Sequence, residues 1–357
     1  MMDLENILDS IKGGDEESKA RAKNRLDNLA KPLGSLGHLE EIAIKLSGIT
    51  GKINNPMEKK QLIVMSSDNG IVEEGVSCCP QKITTIQTIN MIRGLTGVGV
   101  LARFAGADLK VVDIGINDDV DYPGLIKRKI RKGTWNISKG PAMTRDEAVR
   151  SIKIGIEMID EAVKEGVQVV GTGEMGIGNT STSSAIVMAF TDVDADVVVG
   201  KGAGLTEEAY ENKKRVIKKA LDINKPDKND PIDVLTKVGG FDIGGMAGCF
   251  IGAAYHRLPI LIDGLISGAA ALLAYKLNPL VTDYMFATHC SAEPGYKLIM
   301  EELKLKPMLN LDMRLGEGSG CAISFNILEA ANEIITKMAT FEEATIVNDF
   351  LIDIRQG

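Results

Sequence analysis

Residues 167–185, VQVVGTGEMGIGNTSTSSA, run from a short apolar segment through a glycine-rich turn into a polar segment of small residues. The apolar part predicts a buried strand, and the residues after the glycines predict a helix. Similar apolar runs, each ending in Gly, Asp, Ser or Thr, alternate with helical stretches along the chain. They are QLIVMSSDNG, LKVVDIGIND, LPILIDGLIS and YMFATHCSAE. This alternation predicts an α/β fold with a doubly wound, mostly parallel sheet that has helices on both faces and binds ligands at the carboxyl ends of its strands.

Both ends of the chain have a helical pattern. Leu4, Ile7, Leu8 and Ile11 recur at helical spacing, LEEIAIKLSGI repeats the pattern, and ILEAANEIITKMATFEEA continues it from about residue 325. We predict a small helical domain formed by residues 1–50 with 325–357, and a large α/β domain at 51–324. The polar segment DINKPDKNDP, residues 222–231, is expected to be a surface loop of the large domain.

Composition restricts the class of protein. The chain has 357 residues, a formal net charge of −8 and 4% aromatic residues, which argues against nucleic acid or an anionic membrane as partner. It has no run of 18 apolar residues, and its N-terminus is acidic and amphipathic, so neither a signal peptide nor a transmembrane helix is expected. The five cysteines include no CxxC pair, which predicts no disulfide framework and no metal site. We expect a cytoplasmic protein.

Two glycine-rich turns are candidate anion sites. In GTGEMGIGNTSTSSA, residues 171–185, the glycines allow close approach of backbone amides, and Asn179 and Thr180 are candidate caps of a helix whose positive end faces an anion. In GKGAGLTEEAYENKKRV, residues 200–216, Lys213 or Lys214 is two turns into a helix and is placed to reach a phosphate. The alternatives are a turn without ligand and a solvated helix face. Neither turn is a dinucleotide fingerprint or a P-loop.

Two acids, Glu174 and Glu317, lie in glycine loops at predicted strand ends. A bound apolar ligand would desolvate such a carboxylate and raise its pKa toward that of a general base. The alternative is a structural acid that accepts hydrogen bonds from loop amides. His289, after another predicted strand, is a candidate to ligate, titrate or hold a loop, and no neighbouring Cys/His spacing supports a metal.

Motifs from about residue 24 to 340 resemble, in order and spacing, the nicotinate-nucleotide–dimethylbenzimidazole phosphoribosyltransferase family. They are KPLGSLGHLE, EEGVS, IQTINMIRGLTGVGVLA, GEMGIGNTSTSSA, KVGGFDIGGMAG, LIDGLISGAAAL, SAEPG and LDMRLGEGSG. The resemblance implies a homodimer that transfers phosphoribose from nicotinate mononucleotide to an aromatic base, with no cofactor and no metal. The products would be an α-linked ribazole 5′-phosphate and nicotinate, so C1′ is inverted. Inversion is the outcome of a single displacement without a covalent glycosyl-enzyme.

The resemblance also implies roles for individual residues. Glu317 would be the general base that takes the proton of the attacking base, and Glu174 would orient the ribose or the base. The implied phosphate and nucleotide ligands are Gly176, Ile177, Gly178, Asn179, Thr180, Gly202, Ala203, Gly204, Lys213, Asp263 and Ser291. The implied base-binding residues are Cys79, Gln87, Met175 and Leu315.

The chain departs from the family pattern at a few positions. It has Asp-Asn-Gly at residues 68–70 where the family commonly has Asp-His-Gly, Cys79 where a relative carries serine, and Cys290 after His289. We expect these changes around the base pocket, which leaves benzimidazole, adenine or a phenol open as acceptors beside 5,6-dimethylbenzimidazole. A non-catalytic nucleotide-binding subunit is the rival hypothesis, but such a subunit would be expected to lose Glu317. A Rossmann dehydrogenase is rejected because the dinucleotide fingerprint is missing.

Overall fold

The protein is described by a computed structural model that covers residues 3–202, 204–347 and 353. Within these residues it has six strands and fourteen α-helices. The strands are β1 (Lys60–Ser67), β2 (Ala107–Gly115), β3 (Leu125–Lys127), β4 (Val169–Met175), β5 (Ile260–Ile262) and β6 (Met285–Ala287). The first seven helices are α1 (Leu4–Ser10), α2 (Glu16–Asp27), α3 (His38–Thr50), α4 (Lys82–Ile92), α5 (Gly97–Phe104), α6 (Arg145–Lys164) and α7 (Asn179–Thr191). The others are α8 (Ala195–Val198), α9 (Glu207–Asn224), α10 (Pro231–Val238), α11 (Phe241–Tyr255), α12 (Leu265–Leu277), α13 (Gly295–Leu303) and α14 (Ser319–Lys337), with two 3₁₀ helices at Gly70–Glu74 and Pro279–Tyr284.

The six strands form one sheet in the order β3-β2-β1-β4-β5-β6, and every neighbouring pair is parallel. This confirms the predicted doubly wound parallel sheet. The strand order reverses between β1 and β4, where ligands of such folds bind at the carboxyl ends. The sequence prediction missed β3, because a three-residue strand is too short to show a hydrophobic period.

Helices cover both faces of the sheet. A Cβ atom added at Gly245 of α11 would lie 3.0 Å from Met65 Sδ, whereas one added at Gly171 of β4 would lie 2.6 Å from Leu62 and from Cys321 of α14. Leu62 and Met65 are an odd number of residues apart on β1, so they point to opposite faces. Helices α11 and α14 therefore pack on opposite faces, and the glycines allow the close approach.

The two ends of the chain pack together, as predicted. The Arg25 Nε donates to Ile335 O at 2.7 Å, and the Asn55 N–H donates to Asn332 Oδ1 at 2.6 Å. Apolar residues of these end helices, such as Leu46 of α3, belong to the same buried cluster as the strands. The helix α14 reaches from this region to the carboxyl edge of the sheet. The division into two domains at about residues 50 and 325 stays a prediction.

Two local predictions have different outcomes. Helix α14 starts at Ser319 and ends at Lys337, so the prediction of a helix through ATFEEA is wrong: residues 341–345 form turns. The surface loop is confirmed for residues 225–230, whereas the predicted residues 222–224 belong to α9, which ends at Asn224, and Pro231 starts α10. Among the described residues we find no helix that combines the length and the apolarity needed to cross a membrane.

Candidate active site

A cleft of about 250 Å³ opens at the carboxyl edge of the sheet, at the reversal of strand order. Its walls come from the loops after β4, β5 and β6, from the loop before α14 and from the start of α4. The predicted residues that line it are Cys79, Gln87, Glu174, Met175, Gly176, Ile177, Asn179, Thr180, Gly202, Asp263, Ser291, Leu315 and Glu317. The sequence thus predicted most of the wall, although the parts come from distant segments.

The other predicted residues lie beside the cleft or outside the described chain. Gly178 precedes α7, and Lys213 lies behind Thr180, so neither forms part of the wall. Gly204 is on the turn that enters α9, and a Cβ there would meet nothing within 4 Å. Ala203 falls outside the described residues, so its predicted role is neither supported nor opposed.

The loop before α14 has an unusual backbone. Gly316, Glu317 and Gly318 have φ values of 80°, 64° and 98°, all in the left-handed region. At a residue other than glycine this conformation costs about 1–3 kcal/mol and persists only where the surroundings hold it. Glu174 Oε1 accepts the Glu317 N–H at 3.2 Å, and Asp263 accepts the Gly318 N–H at 3.0 Å. These two carboxyl groups fix the position of Glu317 in the cleft wall.

The Glu317 side chain is buried against the first turn of α5. Its Oε2 accepts the Val98 N–H at 3.0 Å. Burial raises the pKa of Glu317, while hydrogen bonds from the Val98 amide, the Thr96 hydroxyl and the Gly97 amide lower it; burial is the larger effect. The group is therefore a stronger base than an exposed glutamate. The start of α5 as its anchor was not predicted, because the contact joins segments more than 200 residues apart.

A second group of buried acids lies behind Glu317. The Asn179 amide donates to Glu174 and, at 3.1 Å, to Asp242 Oδ2. Burial raises the pKa of Glu174 to about 8, that of Asp263 to about 7 and that of Asp242 to about 6. Burial therefore favours the protonated form of Glu174 at neutral pH. The sequence analysis did not predict Asp242, because no motif in the surrounding apolar segment GGFDIGGMAG marks this acid as part of a site.

Glu174 fits both of the alternatives raised from the sequence. Its Oε1 holds a loop amide, as a structural acid would, and its side chain also lines the cleft. The structure therefore places Glu174 beside Glu317, where it can serve both purposes.

The prediction that Asn179 and Thr180 cap α7 is wrong. The N-cap residue is Gly178, with φ of 96°, and no side-chain cap bond forms among the described residues. The Asn179 side chain turns to the buried acids, and Thr180 Oγ1 accepts from Lys213 Nζ at 2.9 Å. The first turn of α7 thus has no side chain capping its amides, and its positive end faces the cleft.

Lys213 rather than Lys214 belongs to the site. The Lys213 Nζ is buried and donates to Thr180 Oγ1 and to Gly200 O at 3.0 Å. Burial lowers its pKa to about 8, and nearby Glu293 opposes this shift. Lys214 instead pairs with Asp196 at 2.7 Å and with Glu211 on the solvated face. The end of the cleft at the start of α7 therefore has one buried cation among the residues that the structure describes.

Glu293 also lies at this end and was not predicted, although SAEPG was recognised as a motif. Its Oε2 is buried and has no hydrogen-bond partner among the described residues. A Cβ added at Gly200 would come within 1.9 Å of that oxygen, so the glycine is needed for the close approach. The carboxyl group forms part of the cleft wall beside the second glycine turn.

His289 lines the cleft from the loop after β6. It is buried, hydrogen-bonds with Thr288 Oγ1 at 3.1 Å, and has its Nδ1 3.9 Å from Asp263 Oδ1. Burial lowers the pKa of its ring, so it is neutral at neutral pH. The described residues contain no group of three or more His, Cys, Asp or Glu side chains arranged for a metal ion.

Of the three departures from the family pattern, only Cys79 lies in the cleft wall. Cys79 lines the cleft with Gln87, whereas Asn69 is buried below it and accepts from Thr182 Oγ1 at 3.2 Å. Cys290 is exposed and does not form part of the wall. Asn69 and Cys290 lie elsewhere because strand-end positions that are adjacent in sequence point to different sides.

This doubly wound sheet, with an uncapped helix start, a buried lysine and a buried acid of raised pKa around one cleft, is suited to bind an anionic ligand and to exchange a proton with it. A phosphoribosyltransferase family model matches residues 11–346. The nicotinate-nucleotide–dimethylbenzimidazole phosphoribosyltransferase of Clostridium tetani is 52% identical, covering 99% of this chain and 98% of its own. The same-named protein of Ruminiclostridium cellulolyticum is 54% identical over 97% and 98%.

Solved structures agree with these relatives. The crystal structure of the nicotinate-nucleotide–dimethylbenzimidazole phosphoribosyltransferase from Thermus thermophilus matches with a TM-score of 0.89 and 38% identity, over 94% of this chain and 99% of that one. The chain belongs to the nicotinate-nucleotide–dimethylbenzimidazole phosphoribosyltransferase family. It is an enzyme, a pentosyltransferase.

Proposed function

We propose that the enzyme transfers phosphoribose from nicotinate mononucleotide to 5,6-dimethylbenzimidazole or a related aromatic base. The products are α-ribazole 5′-phosphate and nicotinate, and the step belongs to the assembly of the nucleotide loop of cobalamin. The names of the relatives, which match nearly the whole chain, support these substrates. We further propose that C1′ is inverted in a single displacement.

Glu317 is the general base in this proposal, and its position is the observation that carries it. One nitrogen of the bound base attacks C1′, and the N–H of the other becomes acidic as positive charge develops. A carboxylate in the cleft wall with a raised pKa is suited to take that proton. The Val98 amide at the start of α5 donates to Glu317 Oε2 and holds the carboxylate in place, and the Glu317 and Gly318 amides donate to Glu174 and Asp263, which holds the loop. Orientation of the two reactants supplies the rest of the rate increase.

The phosphate of the nucleotide is proposed to bind at the start of α7. The residues 176–180 and the turn at Gly202 surround this end, and the Lys213 cation lies next to Thr180 and Gly202. Helix amides and one lysine are sufficient partners for a monophosphate. Ser291 and Asp263 complete the nucleotide side of the cleft. Glu174, with its raised pKa, is proposed to keep a proton and orient the ribose.

The acceptor is proposed to lie between Cys79, Gln87, Met175 and Leu315, which line the cleft near Glu317. Benzimidazole, adenine or a phenol would present the same acidic proton to Glu317, so the acceptor is the open part of this proposal. The rival reading, a non-catalytic nucleotide-binding subunit, would need no base at this position.

Three further proposals concern the whole chain. A homodimer is proposed from the family resemblance, and Leu95, Val100 and Phe104 are apolar side chains on or beside α5 that are more than half exposed and would suit a second copy. The two-domain division is proposed from the packing of the chain ends. A cytoplasmic location is proposed from the cysteine pattern of the sequence.

The experiment that tests the function is incubation with nicotinate mononucleotide and each acceptor in turn. We expect release of nicotinate that depends on an added base, and NMR of the product should show the α-anomer. A protein that binds the nucleotide but releases no nicotinate with any base would support the non-catalytic subunit. A β-linked product would contradict the single displacement.

A further inference from the structure

The segment before α4 brings two thiols together beside the cleft. The Sγ atoms of Cys78 and Cys79 are 3.8 Å apart, and both cysteines are free. Cys78 is exposed, whereas Cys79 is half-buried and forms part of the cleft wall. The Ser77 hydroxyl accepts the Cys79 N–H at 3.2 Å, which supports the local turn. The pair therefore presents a dithiol to solvent at the edge of the cleft.

This dithiol is poorly suited to form a disulfide. The Cα atoms of adjacent residues are about 3.8 Å apart across a trans peptide, below the lower limit of about 4.4 Å for usual disulfides. A bond between Cys78 and Cys79 would be strained and easily reduced. Burial, together with Cys78, raises the pKa of the Cys79 thiol, so little of it is thiolate at neutral pH and its oxidation is slow. The reduced pair is the expected state.

Zinc is also a poor match for the pair. It is almost always held by four ligands in structural sites. The described residues offer no group of three or more side chains of the required types. Two neighbouring thiols instead satisfy an electrophile that takes two sulfur atoms and no more. Trivalent arsenic that carries one organic group and two hydroxyl groups is such a species.

We propose that Cys78 and Cys79 form a binding site for trivalent organoarsenicals, and that its occupation closes the acceptor end of the cleft. Each thiol forms an As–S bond as one As–O bond breaks, and the thiol proton leaves with the hydroxyl group as water. Two waters are released and no electrons are transferred, so no oxidant or reductant is needed. The organic group remains on arsenic.

The effect on the reaction rests on the proposed function. Cys79 lines the cleft together with Gln87 and Leu315, where the aromatic acceptor is proposed to bind. An arsenic-bound aryl group on Cys79 occupies the space of a flat heterocycle. Lys213 and Thr180 are at the other end and keep their contact, so the nucleotide still binds.

To test the site, the full chain is incubated with phenylarsine oxide in excess β-mercaptoethanol, and the mass of the intact protein is then measured. A monothiol in excess removes arsenic from single cysteines but not from a chelating pair. We expect one phenylarsenic group per chain, lost again on addition of dimercaptopropanol. Cys78→Ser should prevent the adduct, and Cys290→Ser, which changes another exposed cysteine, should keep it. No adduct on the unmodified chain, or an adduct retained by Cys78→Ser, would overturn the site.

The closure is tested by the transfer assay on the same samples. The arsenical should abolish transfer by the unmodified chain while leaving the binding of nicotinate mononucleotide intact. Cys78→Ser, whose side chain is outside the cleft wall, should transfer at the normal rate with or without the arsenical. Full transfer by the adduct would contradict closure. If the untreated chain transfers nothing, the proposed function fails, and the mass result still decides whether the dithiol site exists.

Discussion

At the scale of single residues, the site depends on how the surroundings set the basicity of Glu317. An exposed glutamate has a pKa of about 4.3 and is a weak base at neutral pH. Burial raises the pKa of Glu317, and the amides at the start of α5 limit that rise while fixing the direction of the oxygen. A proton acceptor with a pKa nearer the working pH is more effective. We therefore expect the rate of transfer to increase with pH through this raised pKa.

The buried cation at the phosphate end gives a test at the same scale. Lys213→Met should weaken binding of nicotinate mononucleotide, because a hydrogen bond to a charged group contributes about 1.5–3 kcal/mol, or roughly 10- to 100-fold in affinity. The measurement is the dissociation constant by calorimetry. Lys214→Met removes a neighbouring lysine that pairs on the solvated face, and it should bind normally. Equal losses in the two variants would contradict the assigned phosphate end.

Residue type and spacing narrowed the candidates, and the family resemblance selected among them. The glycine-rich turns indicated two acids and two neighbouring lysines, and the resemblance chose Glu317 and Lys213. Asp242 and Glu293 were not indicated in this way. Asp242 belongs to the site because the Asn179 amide, 63 residues away, donates a hydrogen bond to it. Glu293 belongs to the site because its carboxyl group lies against Gly200.

At the scale of elements, the starts of α7 and α5 contribute to the site in different ways: α7 begins in the cleft wall, whereas α5 contacts the Glu317 side chain. The start of α7 was predicted from the glycine turn after β4, and the structure confirms the strand, turn and helix, although Gly178 is the cap. The start of α5 was not predicted as part of the site. Its amides bind the carboxyl group of a residue 219 positions later, and long-range contacts of this kind leave no pattern in a single segment.

The approach of α5 to the Glu317 loop predicts the effect of one added methyl group. A Cβ on Gly97 would lie 2.4 Å from Leu315 Cδ2 and 3.2 Å from Glu317 Oε2. The exposed end of Leu315 can turn away, so Gly97→Ala should act mainly on Glu317 and shift its carboxylate by a few tenths of an ångström. Transfer should fall, by less than the roughly 100-fold of a misplacement of about 1 Å. Steady-state kinetics measure it. Gly140→Ala, where a Cβ meets nothing within 4 Å, is the control and should have normal kinetics. Normal turnover by Gly97→Ala would argue against close positioning of the loop.

At the scale of the whole molecule, the order of the strands in the sheet brings the residues of the site together. Apolar runs alternating with helices predicted the parallel sheet, but they do not fix which strands are neighbours. The order β3-β2-β1-β4-β5-β6 puts the ends of β1, β4 and β5 side by side, and so Glu174 and Asp263 both contact the loop before α14. Strand order depends on packing across the whole chain, which explains why the pairing of Glu174 with the Glu317 backbone was not predicted.

The buried acids make global stability depend on pH. The pKa of Glu174 is about 8 in the folded chain and about 4.3 when unfolded. Between these values the folded state binds the extra proton, so the stability from this group is present at low pH and is lost as pH rises through about 8. The free energy of unfolding in urea should thus fall from pH 5 to pH 9.

In Glu174→Gln, the decrease in the free energy of unfolding between pH 5 and pH 9 should be smaller by roughly a few kcal/mol, because a glutamine side chain does not titrate. Glu5→Gln changes an exposed glutamate and should leave the pH dependence as it was. An unchanged pH dependence in Glu174→Gln would show that the carboxyl group does not hold a proton in the folded chain.

The most direct test of the general base is the rate of transfer by Glu317→Gln, with nucleotide binding measured on the same sample. Glutamine can keep the bond to the α5 amides through its carbonyl oxygen but cannot take a proton. We expect transfer to fall by about 10²- to 10⁴-fold, the usual contribution of a general base, with nicotinate mononucleotide bound as tightly as before. Turnover near that of the unmodified enzyme would contradict the assignment of Glu317.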